Sequence, residues 1–137
     1  MKDKVFIDTN IVVYAHLKQA SEIAKWEIAF ELINNNQFVM STQVLSEYYA
    51  TLLKNKVDDQ LIQENIGLLI KCHEVCAITV PVIQLTHQIK LKYRFSYWDS
   101  LILATALENQ CTKLYSEDMQ HQQLIENQLQ IINPFYS

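Results

Sequence analysis

Glycine occurs once in 137 residues, at Gly67. The phosphate-holding loops of P-loop enzymes and of dinucleotide-binding folds need several glycines at fixed spacing, so neither is available to this chain. Cysteine is scarce as well. Cys72, Cys76 and Cys111 are an odd number in no disulfide-like pattern, which predicts buried, reduced thiols and a cytoplasmic setting. Cys72, His73 and Cys76 lie together, but the gap between the cysteines is not that of a zinc module and no second half follows. Basic charge is also in short supply, with 11 Lys and Arg against 15 Asp and Glu and a formal net charge of −4. That balance exerts no long-range pull on a polyanion, so any nucleic-acid contact must come from a local patch or a bound metal. No apolar run reaches the roughly 18 residues needed to cross a bilayer, and MKDKVFIDTN carries charges where a signal peptide would place its hydrophobic region. A soluble, unprocessed chain with no membrane partner is expected.

What the chain does have is apolar residues in two rhythms. Half of its residues are hydrophobic, which suits one domain over residues 1–137, burying about two-thirds of its unfolded surface. Five short β-branched or aromatic runs read as strands: KVFID at 4–8, QFVMS at 37–41, CAITV at 76–80, TKLYS at 112–116 and LQII at 129–132. Between them SEIAKWEIAFELI, TQVLSEYYATLLKN, DDQLIQENIGLLIKC, VIQLTHQIKLKY and WDSLILATALENQ repeat apolar residues every three or four positions and read as helices. Strands alternating with helices predict an α/β fold: a five-stranded parallel sheet joined by right-handed crossovers, with helices on both faces. Ligands of such sheets collect outside the carboxyl ends of the strands, so polar residues ending strands are the first candidates.

Four acids meet that description, and each has a plain alternative. Asp8 ends the first strand, where it also reads as a cap or turn residue, with Thr9 and Asn10 placed to cap the next helix. Glu47 falls roughly 140° from the centre of its helix's apolar arc, as a solvated glutamate would, yet a helix following directly on QFVMS would start at the same sheet edge as Asp8. Asp99 follows Ser96 by three residues, as in a capping box, but opens a small, apolar helix of buried character. Asp118 lies just past the fourth strand in Ser-Glu-Asp, a sequence that also resembles a helix start. Two carboxylates ~6 Å apart repel by about 3 kcal/mol at an effective dielectric of 20. Four sharing one edge would either hold protons at neutral pH or bind cations. With only oxygen ligands in the set, one or two Mg²⁺ or Mn²⁺ ions fit better than zinc.

The segments FIDTN, SEYYATL, YWDSLILATA and LYSEDMQ, taken in order, resemble the four motifs of the PIN-domain ribonucleases, and in particular the VapC-type toxins of bacterial toxin–antitoxin pairs. The resemblance extends over essentially the whole chain. It implies a single PIN-like domain in which Asp8, Glu47, Asp99 and Asp118 hold the metal and are catalytic. Thr9 and Ser116 would be supporting polar contacts, Asn10 would orient the first acid, and Glu117 would either supplement Asp118 or face solvent. The implied reaction is metal-dependent hydrolysis of an RNA phosphodiester, leaving 5′-phosphate and 3′-hydroxyl ends. A cognate antitoxin and a homodimer are implied as partners.

Lys90, Lys92 and Arg94 are the basic residues nearest the site in sequence, interleaved with Tyr93, Phe95, Tyr97 and Trp98 as in a surface that binds phosphates and stacks bases; Lys18 is a weaker candidate. The same pattern also reads as a solvated lysine face over an aromatic core stripe. Two other functions compete. A haloacid-dehalogenase-like phosphatase needs a second aspartate two residues after the first, where this chain has Asn10. A non-catalytic PIN-like module binding RNA or protein is the other alternative.

Overall fold

The computed structural model describes residues 3–136. Its central strand is β1, Val5–Ile7, whose Phe6 and Ile7 are fully buried, as expected of a parallel strand covered on both faces. β1 pairs in parallel with β2, Val39–Ser41, on one side and with β4, Lys113–Tyr115, on the other. β3, Glu74–Cys76, extends the sheet beyond β2, and β6, Leu129–Ile132, extends it beyond β4. The sheet has six strands rather than five, in the order β3-β2-β1-β4-β6-β5. The added strand, β5 at Leu124–Ile125, runs antiparallel to β6 across a turn in which Glu126 and Asn127 both have positive φ. That is a tight hairpin turn made without glycine.

Helices α1, Thr9–His16, and α2, Ile23–Asn35, with a 3₁₀ turn at Ala20–Glu22 between them, connect β1 to β2. α3, Thr42–Lys54, and α4, Asp59–Cys72, connect β2 to β3, and α5, Val80–Tyr93, and α6, Tyr97–Glu108, connect β3 to β4. The chain steps from β1 to β2 to β3 in one direction and then returns across β1 to β4. Right-handed crossovers therefore send α1–α4 to one face and α5–α6 to the other. The packing agrees: α1 lies on α2 and α3, α3 on α4, and α5 on α6. The consequence is a switch point between β1 and β4, where connections leave in opposite directions and a crevice opens at the carboxyl edge.

Beyond the added strand, the structure differs from expectation in three places. CAITV is not a strand: β3 ends at Cys76, Thr79 caps α5 by accepting from Val82 N, and Pro81 sits in the first helical turn, where its missing N–H costs nothing. α1 was hidden in the apolar run that begins the chain. The cysteines are not uniformly buried, since Cys72 is exposed and Cys76 half-buried, leaving Cys111 as the buried thiol.

α6 is apolar on every side and is buried continuously from Ser100 to Leu107. Its two buried hydroxyls return hydrogen bonds to the preceding turn, Ser100 Oγ to the Ser96 carbonyl and Thr105 Oγ1 to the Leu101 carbonyl, so neither is left unsatisfied. Leu114, at the middle of β4, is fully buried between β1 and β6. Leu114→Ala should lower unfolding free energy by about 2–5 kcal/mol in urea melts. Gly67, exposed within α4, has nothing within 4 Å of where a Cβ would stand. Gly67→Ala should therefore raise stability by about 0.5–1 kcal/mol in the same measurement.

Candidate active site

The crevice at the switch point is a cavity of about 580 Å³, and Asp8, Glu47, Asp99, Glu117 and Asp118 all line it. Among the described residues no Lys, Arg or His lines it. The four acids singled out in the sequence are thus brought into one cavity from four separate stretches of chain.

Asp8 leaves β1 with its backbone N–H still in the sheet, donating to the Tyr115 carbonyl at 2.9 Å. Its side chain is the N-cap of α1 and accepts from Thr9 N at 2.7 Å. The capping role belongs to Asp8 itself, then, rather than to Thr9 or Asn10. Its other oxygen accepts from Ser116 Oγ at 2.8 Å, across the β1–β4 pair. With both oxygens held and only 6% of its surface exposed, Asp8 is the deepest acid of the set.

Glu47 stands in the second turn of α3, whose start is fixed by Ser41 Oγ accepting from Val44 N. It is half-buried rather than solvated, because α1 packs over this face of α3 and Thr9 Oγ1 donates to Glu47 Oε1 at 2.7 Å. One threonine therefore ties two acids, Asp8 through its backbone and Glu47 through its hydroxyl. Ser96 caps α6 by accepting from Asp99 N at 3.1 Å, so half of the expected capping box is present, yet the half-buried Asp99 still lines the cavity. Asp118 is exposed, and no helix follows Ser116; the segment bends instead toward β5. Asn10 Nδ2 donates to Asp118 Oδ2 at 2.9 Å, so Asn10 orients the fourth acid and not the first. Glu117 does not face solvent freely either. It accepts from Tyr14 OH at 2.7 Å and forms an ion pair with Lys25, which turns it to the side of the cavity.

Three residues missed in the sequence act here. Lys25 and Tyr14 hold Glu117, with the Lys25 ammonium over the Tyr14 ring; nothing in the α2 pattern separates Lys25 from its solvated neighbours. Gln43, one helical turn before Glu47, donates to Glu47 Oε2 at 3.5 Å and to the Trp98 carbonyl at 3.3 Å, bridging α3 to the start of α6. The i, i+4 spacing of Gln43 and Glu47 was the signal that could have revealed it. Conversely, Lys90, Lys92 and Arg94 do not line the cavity. Lys92 is paired with Glu126 at 2.5 Å, Tyr93 OH donates to the same carboxylate, and Arg94 terminates α5 in a left-handed conformation. Lys18 also stands outside the lining, over the Trp26 ring.

Burial pushes the Asp8 carboxyl up to about 7, with the Asp99 and Glu47 charges adding to it, against hydrogen bonds from Ser116 and Thr9 that favour the ionised form. Asp99 is raised in the same sense, by burial first and then by Asp118 and Glu47, against the Ser96 hydroxyl. Among the described residues no three His, Cys, Asp or Glu side chains are gathered tightly enough to hold an ion as they stand. The acids instead ring the cavity, and Asp8, Glu47 and Asp118 accept hydrogen bonds from neutral side chains. An all-oxygen set with no internal counter-charge fits a hard divalent cation that keeps several of its waters.

A buried acid whose pKa is raised on folding binds its proton more tightly in the native state. It therefore favours folding at low pH, and that contribution is lost as pH rises from about 4 to about 7. In chelator, Asp8→Asn should melt higher than the parent at pH 8, by an amount worth a few kcal/mol at most, with the advantage shrinking toward pH 4.5. A pH-independent difference between the two melting curves would contradict the burial argument.

The PIN-domain family profile matches residues 5–126. No curated protein matches the chain. Among solved structures, a toxin–antitoxin complex from Klebsiella pneumoniae superposes with a TM-score of 0.72 at 16% identity, over 96% of this chain and 98% of that one. The Sarcin-Ricin loop cleaving toxin VapC20 of Mycobacterium tuberculosis gives 0.67 at 16% identity, over 84% and 90%. VapBC2 from Rickettsia felis, bound to a DNA fragment from its promoter, gives 0.66 at 19% identity, over 94% and 98%. At such identities these neighbours speak for the fold, and the family match covers most of the sequence. The chain belongs to the PIN-domain family.

Proposed function

We propose that this protein is a divalent-metal-dependent endoribonuclease, the toxin of a VapBC-type toxin–antitoxin pair. The observation that carries the reading is the cavity at the switch point, where acids from four separate stretches converge and, among the described residues, no basic side chain lines the wall. Metal-binding and catalytic roles go to Asp8, Glu47, Asp99 and Asp118. When bound there, one or two Mg²⁺ or Mn²⁺ ions would polarise the phosphodiester and lower the pKa of the attacking water.

The chain's own residues prepare that chemistry. Ser116 and Thr9 hold Asp8 by both oxygens, so its position is set by the sheet and not by solvent. Thr9 also fixes Glu47, and Asn10 fixes Asp118. Lys25 and Tyr14 keep Glu117 turned aside, which leaves the other acids to face the substrate. Without a cation the acids repel a phosphate, so RNA binding and cutting are coupled to the ion.

A cognate antitoxin is the proposed protein partner, its segment occupying the acidic cleft, and a homodimer is the proposed assembly. Toxin–antitoxin complexes among the structural neighbours support the partner. No helix among the described residues is long and apolar enough to cross a membrane, and three free thiols suit a reducing cytoplasm.

Incubated with total RNA, the chain should cut in Mg²⁺ or Mn²⁺ and stop in chelator, leaving 5′-phosphate and 3′-hydroxyl ends. Asp8→Asn and Asp99→Asn should each lose roughly a hundredfold or more in rate, keep the parent's circular dichroism, and lose the rise in melting temperature that Mn²⁺ gives the parent. Cutting that survives the chelator, or both substitutions, would overturn the assignment. Binding of RNA without cutting would favour the non-catalytic module.

A further inference from the structure

The acid cavity continues into a second hollow. This neighbour, about 480 Å³ in volume, shares Gln43, Glu47, Ala50 and Trp98 with it, so the two run together. Trp98 immediately precedes Asp99 and is 59% exposed, although α6 behind it is buried from Ser100 onward. An indole left in water beside a long buried helix is an unusual use of the largest apolar side chain.

The residue is held in place there. Gln43 Nε2 donates to its carbonyl at 3.3 Å, and the Tyr97 ring packs edge-on against the indole at 5.2 Å. The other aromatic residues of this stretch are committed elsewhere. Tyr93 donates to Glu126, Phe95 packs on the main core, and Tyr97 packs on the cluster of Val82, Leu101 and Ala104. Among the described residues Trp98 is the aromatic residue that lines the hollow. Ile78 and Leu101 add to the apolar lining, and Thr42 and Ser46 bring hydroxyls.

Gln43 adds a second sign. It is nine-tenths buried, and its Oε1 has no hydrogen-bond partner among the described residues. The amide cannot be reversed to cure this, because its nitrogen already faces two acceptors, the Glu47 carboxylate and the Trp98 carbonyl. A buried acceptor left unpaired is costly, and the residue that carries it lines both cavities, with Oε1 itself closed off behind the wall.

We propose that the second hollow is a base subsite: it takes one unpaired base of a single-stranded RNA, stacked on Trp98, while the adjoining phosphate lies at the acids. The inference rests on the nuclease reading and names the form of RNA that the site accepts. A base suits the hollow better than a phosphate, because among the described residues no Lys or Arg lines it and Glu47 forms part of its wall. The wall is mostly apolar with a smaller polar share from Thr42, Gln43, Ser46 and Glu47, which matches the flat apolar face and the polar edge of a base. Stacking on an aromatic face with polar groups at the edge is how proteins hold splayed-out bases. Paired RNA would have to unstack before it could enter.

The test compares the parent with Trp98→Ala and Trp98→Phe on a single-stranded oligoribonucleotide spanning a cut mapped in total RNA, and on copies made abasic at each position flanking that cut. One abasic position should raise KM for the parent by about tenfold to a hundredfold. Trp98→Ala should show a similar rise on the intact oligonucleotide and no further rise on the abasic copy, with kcat nearly unchanged and the melting temperature kept. Trp98→Phe should recover much of the loss. If the parent cuts RNA and Trp98→Ala keeps both its KM and its abasic sensitivity, the subsite is wrong and the nuclease stands. If the parent cuts nothing, the nuclease reading fails, and Trp98 fluorescence in a Trp26→Phe chain, titrated in Mg²⁺ with a single-stranded oligoribonucleotide of mixed sequence and with a fully abasic copy, still decides the subsite. Quenching by the intact oligonucleotide and not by the abasic copy supports it; no quenching by RNA, or quenching by a basic peptide alone, overturns it.

Discussion

Everything at this site follows from placing a carboxylate where little water reaches it. Asp8 ends a strand covered on both faces, so its charge is stripped of solvent and is answered only by one backbone N–H and one hydroxyl. Those two hydrogen bonds do not offset the burial, and three further acids are turned toward the same space. The result is a concentration of negative potential that the protein does not neutralise from within. A fold that only needed stability would have placed a base there or an apolar residue.

The scaffold spends its polar residues on holding these acids apart from one another and in fixed orientations. Thr9 ties two of them, Ser116 ties one across the central strand pair, and Asn10 reaches the last. Gln43 joins the helix bearing Glu47 to the turn that presents Asp99. Each of these donors is neutral, so each orients a carboxylate without discharging it. Lys25 is the exception, and it is spent on Glu117 at the side of the cavity.

Much of the architecture was legible because the driving residues are local. Phe6 and Ile7, or the all-apolar α6, can be read as buried from the pattern of their own segment. β3 lies earlier than its β-branched pattern predicts, because Ile78 to Val80 have strand character while Thr79 and Pro81 start a helix. β5 escaped notice because it is two residues long and its turn is built from Glu126 and Asn127, the former steadied by Lys92 and Tyr93 from α5. That pairing also removed Lys92 from consideration as a contact for substrate, something no local pattern could reveal.

From the sequence alone came the alternation of strand and helix, the four acids and the order in which they occur, because side-chain periodicity and strand-end chemistry are properties of neighbouring residues. Only the tertiary structure decided which neutral group holds which acid, that Glu117 is turned aside while Trp98 faces the cavity, and that Asn10 serves Asp118. The contacts of Asn10, Ser116 and Tyr14 join side chains about a hundred residues apart across the β1–β4 pair. Those of Thr9 with Glu47 and Gln43 with Trp98 join α1 to α3 and α3 to α6. Such meetings are set by crossover handedness and strand order, which act on the whole chain at once.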